Sequence, residues 1–184
     1  MPSFEHIYNN ALNALKIRPP PERLVSLDPG ATTGVAVFRR LSLHMAAQLN
    51  TSMPDVALEQ LTLFFDQQRP TEVVLEDYRV YANRVEQHAG SSLQTPRLIG
   101  MIETLCMQRK IPFHKQPAGT AKYFCTDDKL REWGMYATGQ RHARDAVRHA
   151  AYYILFPPKT RTSENIVKIA VPNKTLRGGG RHVG

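Results

Sequence analysis

Apolar residues near the start of the chain recur at helical spacing. Phe4, Ile7, Tyr8, Leu12 and Leu15 fall on one face and predict a short amphipathic helix over residues 3–16. Pro19-Pro20-Pro21 ends it and forms a stiff connection. The period then changes. Leu24 to Leu27 is a short continuous apolar run, as expected of a buried strand, and Pro29-Gly30 closes it with a turn. Gly34 to Phe38 and Leu41 to Leu49 follow as two further strands around a tight turn at Arg39-Arg40. Pro54 opens a helix expected to turn Leu58, Leu61, Phe64 and Phe65 inward and to stop near Arg69-Pro70.

Val73-Val74-Leu75 is a second buried run, too short for a helix. Residues 78–92 are polar and aperiodic, a long loop. Thr95-Pro96 predicts a helix N-cap and first position, with Leu98, Ile99, Ile102 and Leu105 facing inward. Ile111 to Gln116 reads as a brief strand that Pro112 confines to a sheet edge. Thr126 or Asp127 caps a short helix through Trp133. The last helix runs from about Arg141 to Leu155, stopped by Pro157-Pro158, with Ala143, Val147, Ala150 and Ile154 as its packing stripe. No internal repeat is evident.

This order, β-β-β-α-β-α-β-α, predicts a mixed five-stranded sheet with helices on its faces. The chain leaves the first strand toward one side of the sheet and returns to its other side through a helical crossover. Ligands gather at the carboxyl ends of strands that flank such a reversal. The rule nominates Asp28, which closes Leu24–Leu27, and Glu76, which closes Val73–Leu75. Neighbouring strands lie about 4.8 Å apart, so two carboxylates there are placed to share or bridge metal ions. His142 and Asp145, three apart on the last helix, are expected to face the same strand ends. Each also has an ordinary explanation. Asp before Pro-Gly is common turn chemistry, a Glu followed by Asp marks a strand reaching water, and an acid near a helix start suits the dipole. The ordered combination is what points to a metal site.

Charge adds a direction. The formal net charge is +8, and residues 155–184 hold six bases against one acid. A basic tail suits a polyanionic partner, although charge alone does not separate nucleic acid from acidic protein. The hydrophobic fraction of 42% suits one folded domain, and no apolar run is long enough to cross a membrane. Cys106 and Cys125 have no metal-ligand spacing and suit a reducing compartment, and Met1 to Asn10 lacks the pattern of a secretory signal. The expected setting is cytoplasmic.

The motifs together resemble those of RuvC-type Holliday-junction resolvases of the RNase H-like superfamily. Leu27-Asp28-Pro29-Gly30-Ala31-Thr32-Thr33-Gly34-Val35-Ala36 is similar to the family's opening motif, in which a metal-binding Asp ends the first strand. Val74-Leu75-Glu76-Asp77-Tyr78 resembles the second motif, and His142-Ala143-Arg144-Asp145-Ala146 the third. Pro117 and Lys122 are similar to a family Pro…Lys stretch, so the resemblance spans about Leu24 to Leu155. Residues 1–22 and the tail depart from the pattern. The division expected is a helical extension and Pro linker over 1–22, a nuclease domain over 23–157 and a basic tail over 158–184.

The resemblance implies an RNase H-like α/β fold and a site with two Mg²⁺ ions, Mn²⁺ also being suited by His142. Asp28 would bridge the ions, Glu76 and Asp145 would each take one, and His142 would act as a ligand or orient water. Branched DNA is the implied partner, cut by a homodimer, with no nucleotide cofactor and no membrane. The DNA-contact candidates are Arg79, Tyr81, Asn83, Arg84, Gln87 and His88, which mix phosphate-binding and stacking chemistry, and Lys122 near the metals. His149, one turn beyond Asp145, is assigned no role. The rival readings are a less selective RNase H-like or flap nuclease and a non-cleaving nucleic-acid-binding module. An actin-like phosphotransferase, suggested by the same glycine-bearing loop, needs two copies of the fold, which 184 residues do not hold.

Overall fold

A computed structural model of the chain describes residues 2–77 and 94–158. Eleven elements follow one another among them: α1 (Phe4–Leu15), β1 (Leu24–Asp28), β2 (Thr32–Arg39), β3 (Ser42–Asn50), α2 (Pro54–Gln68), β4 (Glu72–Asp77), α3 (Gln94–Gln108), β5 (Phe113–Pro117), α4 (Ala118–Phe124), α5 (Asp127–Glu132) and α6 (Arg141–Leu155). The strands form one sheet in the order β3-β2-β1-β4-β5. β1 pairs antiparallel with β2 and parallel with β4, and β4 pairs parallel with β5. The reversal expected from the sequence therefore lies at β1, with β5 on an edge.

Strand alternation sorts the core into two layers. Val25, Leu27, Val35, Val37, Val73 and Leu75 pack on α2 and α3. Leu24, Ala36, Phe38 and Val74 face the other way, onto α6, α5 and α1. By the same parity Asp28 and Glu76 share the α6 side with Leu24 and Val74. Residues at the start of the chain join this layer, for Phe4 and Tyr8 are each only 3% exposed.

Three local expectations need correction. Leu58 is largely exposed, and Ala57 takes its place with Leu61, Phe64 and Phe65 on the inner face of α2. One helical position is a rotation of about 100°, enough to turn a side chain out of the stripe. α3 already begins at Gln94, so Thr95 and Pro96 lie inside its first turn. Proline is tolerated there because the first N–H groups of a helix have no intrahelical acceptor. A short helix, α4, also follows β5 directly, where no periodicity announced it.

Candidate active site

Asp28 and Glu76 stand at the carboxyl ends of adjacent parallel strands, as the topology requires. α6 is brought to them by a close backbone approach. A Cβ on Gly34 would lie 1.9 Å from the carbonyl oxygen of His142, so only glycine admits the first turn of α6 here. Gly34 pairs with Asp28 on one side and Gln48 on the other. The Gln48 side-chain carbonyl accepts from the His142 backbone N–H at 3.2 Å, satisfying one of the unpaired donors at the helix start. His142 Nδ1 then reaches Asp28 Oδ2 at 2.8 Å.

α6 also delivers Asp145, only 5% exposed. The packing stripe expected from Ala143, Val147, Ala150 and Ile154 is broader in the structure. Asp145 and His149 lie within the buried surface beside Ala143, Ala146, Val147 and Ala150. The reason is that the sheet and several helices enclose α6, leaving it a broad buried face.

Cations hold the carboxylates together. Lys122, on α4, places Nζ 3.0 Å from Glu76 Oε2 and 3.3 Å from Asp145 Oδ2. Arg148 donates to both Asp145 and Asp127, tying α6 to α5. His149, fully buried, sets Nε2 3.0 Å from Glu76 Oε2 and Nδ1 3.0 Å from Gln116 Oε1 on β5. His149, Arg148 and Gln116 received no functional assignment from the sequence. The one signal was that His149 falls on the turn after Asp145, a spacing that many surface histidines share.

The electrostatics divide the acids. Burial, and next the charge of Glu76, push the Asp28 carboxyl up to about 6, against the opposing pull of His142 and Lys122. Burial works against ionised Glu76 too, but His149 and Lys122 outweigh it and hold this carboxyl down at about 2. Burial would lower the Lys122 ammonium, yet Glu76, Asp145 and Asp28 together raise it.

Among the described residues, no group of three or more His, Cys, Asp or Glu side chains is set closely enough to hold an ion as it stands. The chemistry of the donor set nevertheless fits a hard divalent cation, with three carboxylates and one imidazole at one end of the sheet. Burial, and next the charge of Glu76, hold the Asp28 carboxyl up at about 6, and such a cation would oppose both. Of the DNA-contact candidates, Lys122 lies beside the acids. Arg79, Tyr81, Asn83, Arg84, Gln87 and His88 lie outside the described residues.

No family model matches the chain, and no curated protein does. Solved structures do. Thermus thermophilus RuvC in complex with a Holliday junction substrate superposes with a TM-score of 0.58 at 15% identity, over 72% of this chain and 92% of that one. A further Thermus thermophilus RuvC structure gives 0.56 at 14% identity, over 72% and 93%. The yeast mitochondrial Holliday junction resolvase gives 0.52 at 12% identity, over 80% and 85%. The chain therefore has the RNase H-like fold of the RuvC-type resolvases, a mixed five-stranded sheet with helices on both faces.

Proposed function

We propose that this chain is a divalent-metal-dependent endonuclease that resolves four-way DNA junctions by paired phosphodiester hydrolysis, working as a homodimer. One observation carries the reading. Asp28, Glu76 and Asp145, with His142, are gathered at the topological switch of the sheet in a fold shared with junction resolvases.

Asp28, Glu76, Asp145 and His142 would hold two Mg²⁺ ions, or Mn²⁺ in their place. When bound, such ions supply a nucleophilic water at neutral pH and stabilise charge on the phosphate and the leaving 3′ oxygen. The chain's own groups do the rest. The buried position of Asp28 and Asp145 keeps bulk water away from their oxygens and strengthens each electrostatic contact. His142, more exposed than the acids, can keep a proton at Nδ1 against Asp28 or hand one to a reacting oxygen. Lys122, half-exposed beside Glu76 and Asp145, would meet a backbone phosphate. Arg79, Tyr81, Asn83, Arg84, Gln87 and His88 are the proposed contacts to the branched DNA beyond the cut.

The test is cleavage of matched four-way, flap, duplex and RNA–DNA substrates with Mg²⁺ and with Mn²⁺. Symmetric paired cuts confined to the four-way junction are the expected result. Equal cutting of flaps or hybrids would favour the less selective nuclease, and binding without cutting the non-cleaving module.

A further inference from the structure

Behind the acids lies a buried bridge that hydrolysis does not itself use. His149 is held from both sides by side chains of two neighbouring strands, and Glu76 and Gln116 are direct register partners on β4 and β5. An ionised carboxylate only accepts, so the ring nitrogen facing Glu76 carries the proton. The Gln116 amide suits either ring state, since its oxygen accepts from Nδ1–H and its amino group donates to a bare Nδ1. Packing does not call for a histidine here. Apart from Asp145, the other buried positions between residues 143 and 151 are Ala143, Ala146, Val147, Ala150 and Ala151. A polar ring placed among them is costly unless both nitrogens are satisfied, as they are.

Lys122 Nζ meets the same Glu76 oxygen, Oε2, at 3.0 Å. Two donors from two helices thus fix one oxygen of the carboxylate. Oε2 is the oxygen both donors reach, which sets the orientation of the whole carboxylate. We infer that His149 is the positioning residue of Glu76, locking its side chain through Oε2 in the orientation from which the carboxylate would hold a divalent cation, with Gln116 fixing the ring. The inference rests on the nuclease reading and deepens it. Orienting partners of this kind, one step behind a metal ligand, typically control affinity by about 10- to 100-fold.

The test uses the full chain and Mn²⁺ alone, followed by loss of the free-ion electron paramagnetic resonance signal, with circular dichroism as the check on folding. His149→Leu, similar in volume and lacking the donor, is expected to weaken Mn²⁺ binding by about 10- to 100-fold. His149→Gln, whose amide nitrogen can still donate to Glu76, is expected to recover most of that loss, which a purely space-filling role would not predict. In metal-free wild type, nitrogen–proton correlation of the ring is expected to show Nε2 protonated. Should His149→Leu fail to fold, Gln116→Leu is expected to weaken Mn²⁺ in the same direction by a smaller factor. Unchanged affinity in folded His149→Leu, or in Gln116→Leu where it stands in, overturns the positioning role alone, with wild type still binding Mn²⁺ and cutting DNA. Wild type that neither binds Mn²⁺ nor cuts any substrate removes the nuclease reading and this inference with it.

Discussion

Gly34 and His142 are in backbone contact so close that a methyl group on Gly34 would fall 1.9 Å from the His142 carbonyl oxygen and 2.1 Å from its carbonyl carbon. Neither neighbour is the far end of a flexible side chain, so the first turn of α6 would have to move. That turn carries His142, and Asp145 follows it. Gly34→Ala is therefore expected to cost about 1–3 kcal/mol of stability, as overpacking does. Cleavage should fall by at least about 100-fold, since small misplacements of catalytic groups have that effect. Thermal melting and single-turnover cleavage check the two parts. Near-wild-type turnover would show that Asp145 tolerates displacement of its helix.

Asp28→Asn separates stability from function. The Asp28 carboxyl ordinarily titrates at 3.8 and here is pushed up to about 6. Between those values the folded protein binds the proton more tightly than the unfolded chain. The Asp28 contribution is thus most favourable below pH 4 and declines as pH rises through 6. Glu76 runs oppositely: held down at about 2 against an ordinary 4.5, it stabilises above pH 4.5 and that support fades as pH falls toward 2. In the metal-free protein, Asp28→Asn is expected to raise stability at pH 7 by on the order of 2 kcal/mol, seen as a higher melting temperature, and to have little effect at pH 4. Cleavage should be abolished. Asp145→Asn is likewise expected to abolish cleavage with folding and DNA binding largely kept. Melting curves across pH 4–8, with and without Mg²⁺, measure the first effect. A destabilised Asp28→Asn at pH 7 would show that this carboxylate is not under strain.

The other end of β4 carries a different cluster. Arg18 makes two 2.7 Å bonds to Glu72, which is 4% exposed, and a third to the Tyr153 hydroxyl, which also donates to Glu72. Arg18 thereby fastens the segment carrying α1 to β4 and α6. Arg18→Ala leaves Glu72 buried with less compensation and is expected to cost about 3 kcal/mol. Glu72 and Glu76 are four residues apart, roughly 13 Å along the strand, so cleavage below the melting transition should be unchanged. Urea unfolding and cleavage at low temperature distinguish a fastening role from a catalytic one.

The acids at the switch point were legible because each ends an apolar run, and run boundaries are local. Gly34 was visible inside its motif, but its reason lies more than a hundred residues away in the backbone of His142. The helical spacing of His149 from Asp145 did not reveal its role because its partners come from β4 and β5, in registers that only the folded sheet defines. Leu58 was misplaced for the converse reason. Helical period alone allows either Ala57 or Leu58 as the inward position, and packing against the sheet selects the smaller.

Residues 159–184 carry six bases and one acid. If these charges meet DNA, each phosphate neutralised contributes about 0.9 to the slope of log affinity against log salt. Removing the segment should weaken junction binding and flatten that slope, with the cleavage rate at saturating DNA retained. Binding across a salt series for the two chains makes the comparison. An identical slope would mean that the segment faces something other than DNA.

The proposed homodimer needs a surface on which two copies meet. A four-way junction has near two-fold symmetry, and resolving it into ligatable duplexes takes paired cuts on opposing strands. A symmetric dimer meets that need with one self-complementary interface. α3 is the helix proposed to form it, on the surface it shares with α2. An open groove of about 780 Å³ lies there, lined in part by Leu58, Met101, Thr104 and Arg109. Leu58, Leu63 and Met107 are 48%, 57% and 59% exposed, more apolar surface than the core side of these helices uses. Met101→Asp is expected to split the dimer and convert paired incision into slow single nicks. Because Met101 also touches the core, Leu58→Asp on the opposite wall of the groove is the companion variant and should act alike without loss of stability. Light scattering reports the assembly, and a plasmid-borne cruciform reports pairing, since linear product requires two cuts within one binding event. Wild-type protein that stays monomeric at working concentration, even on junction DNA, would defeat the resolvase reading and favour a simpler nuclease.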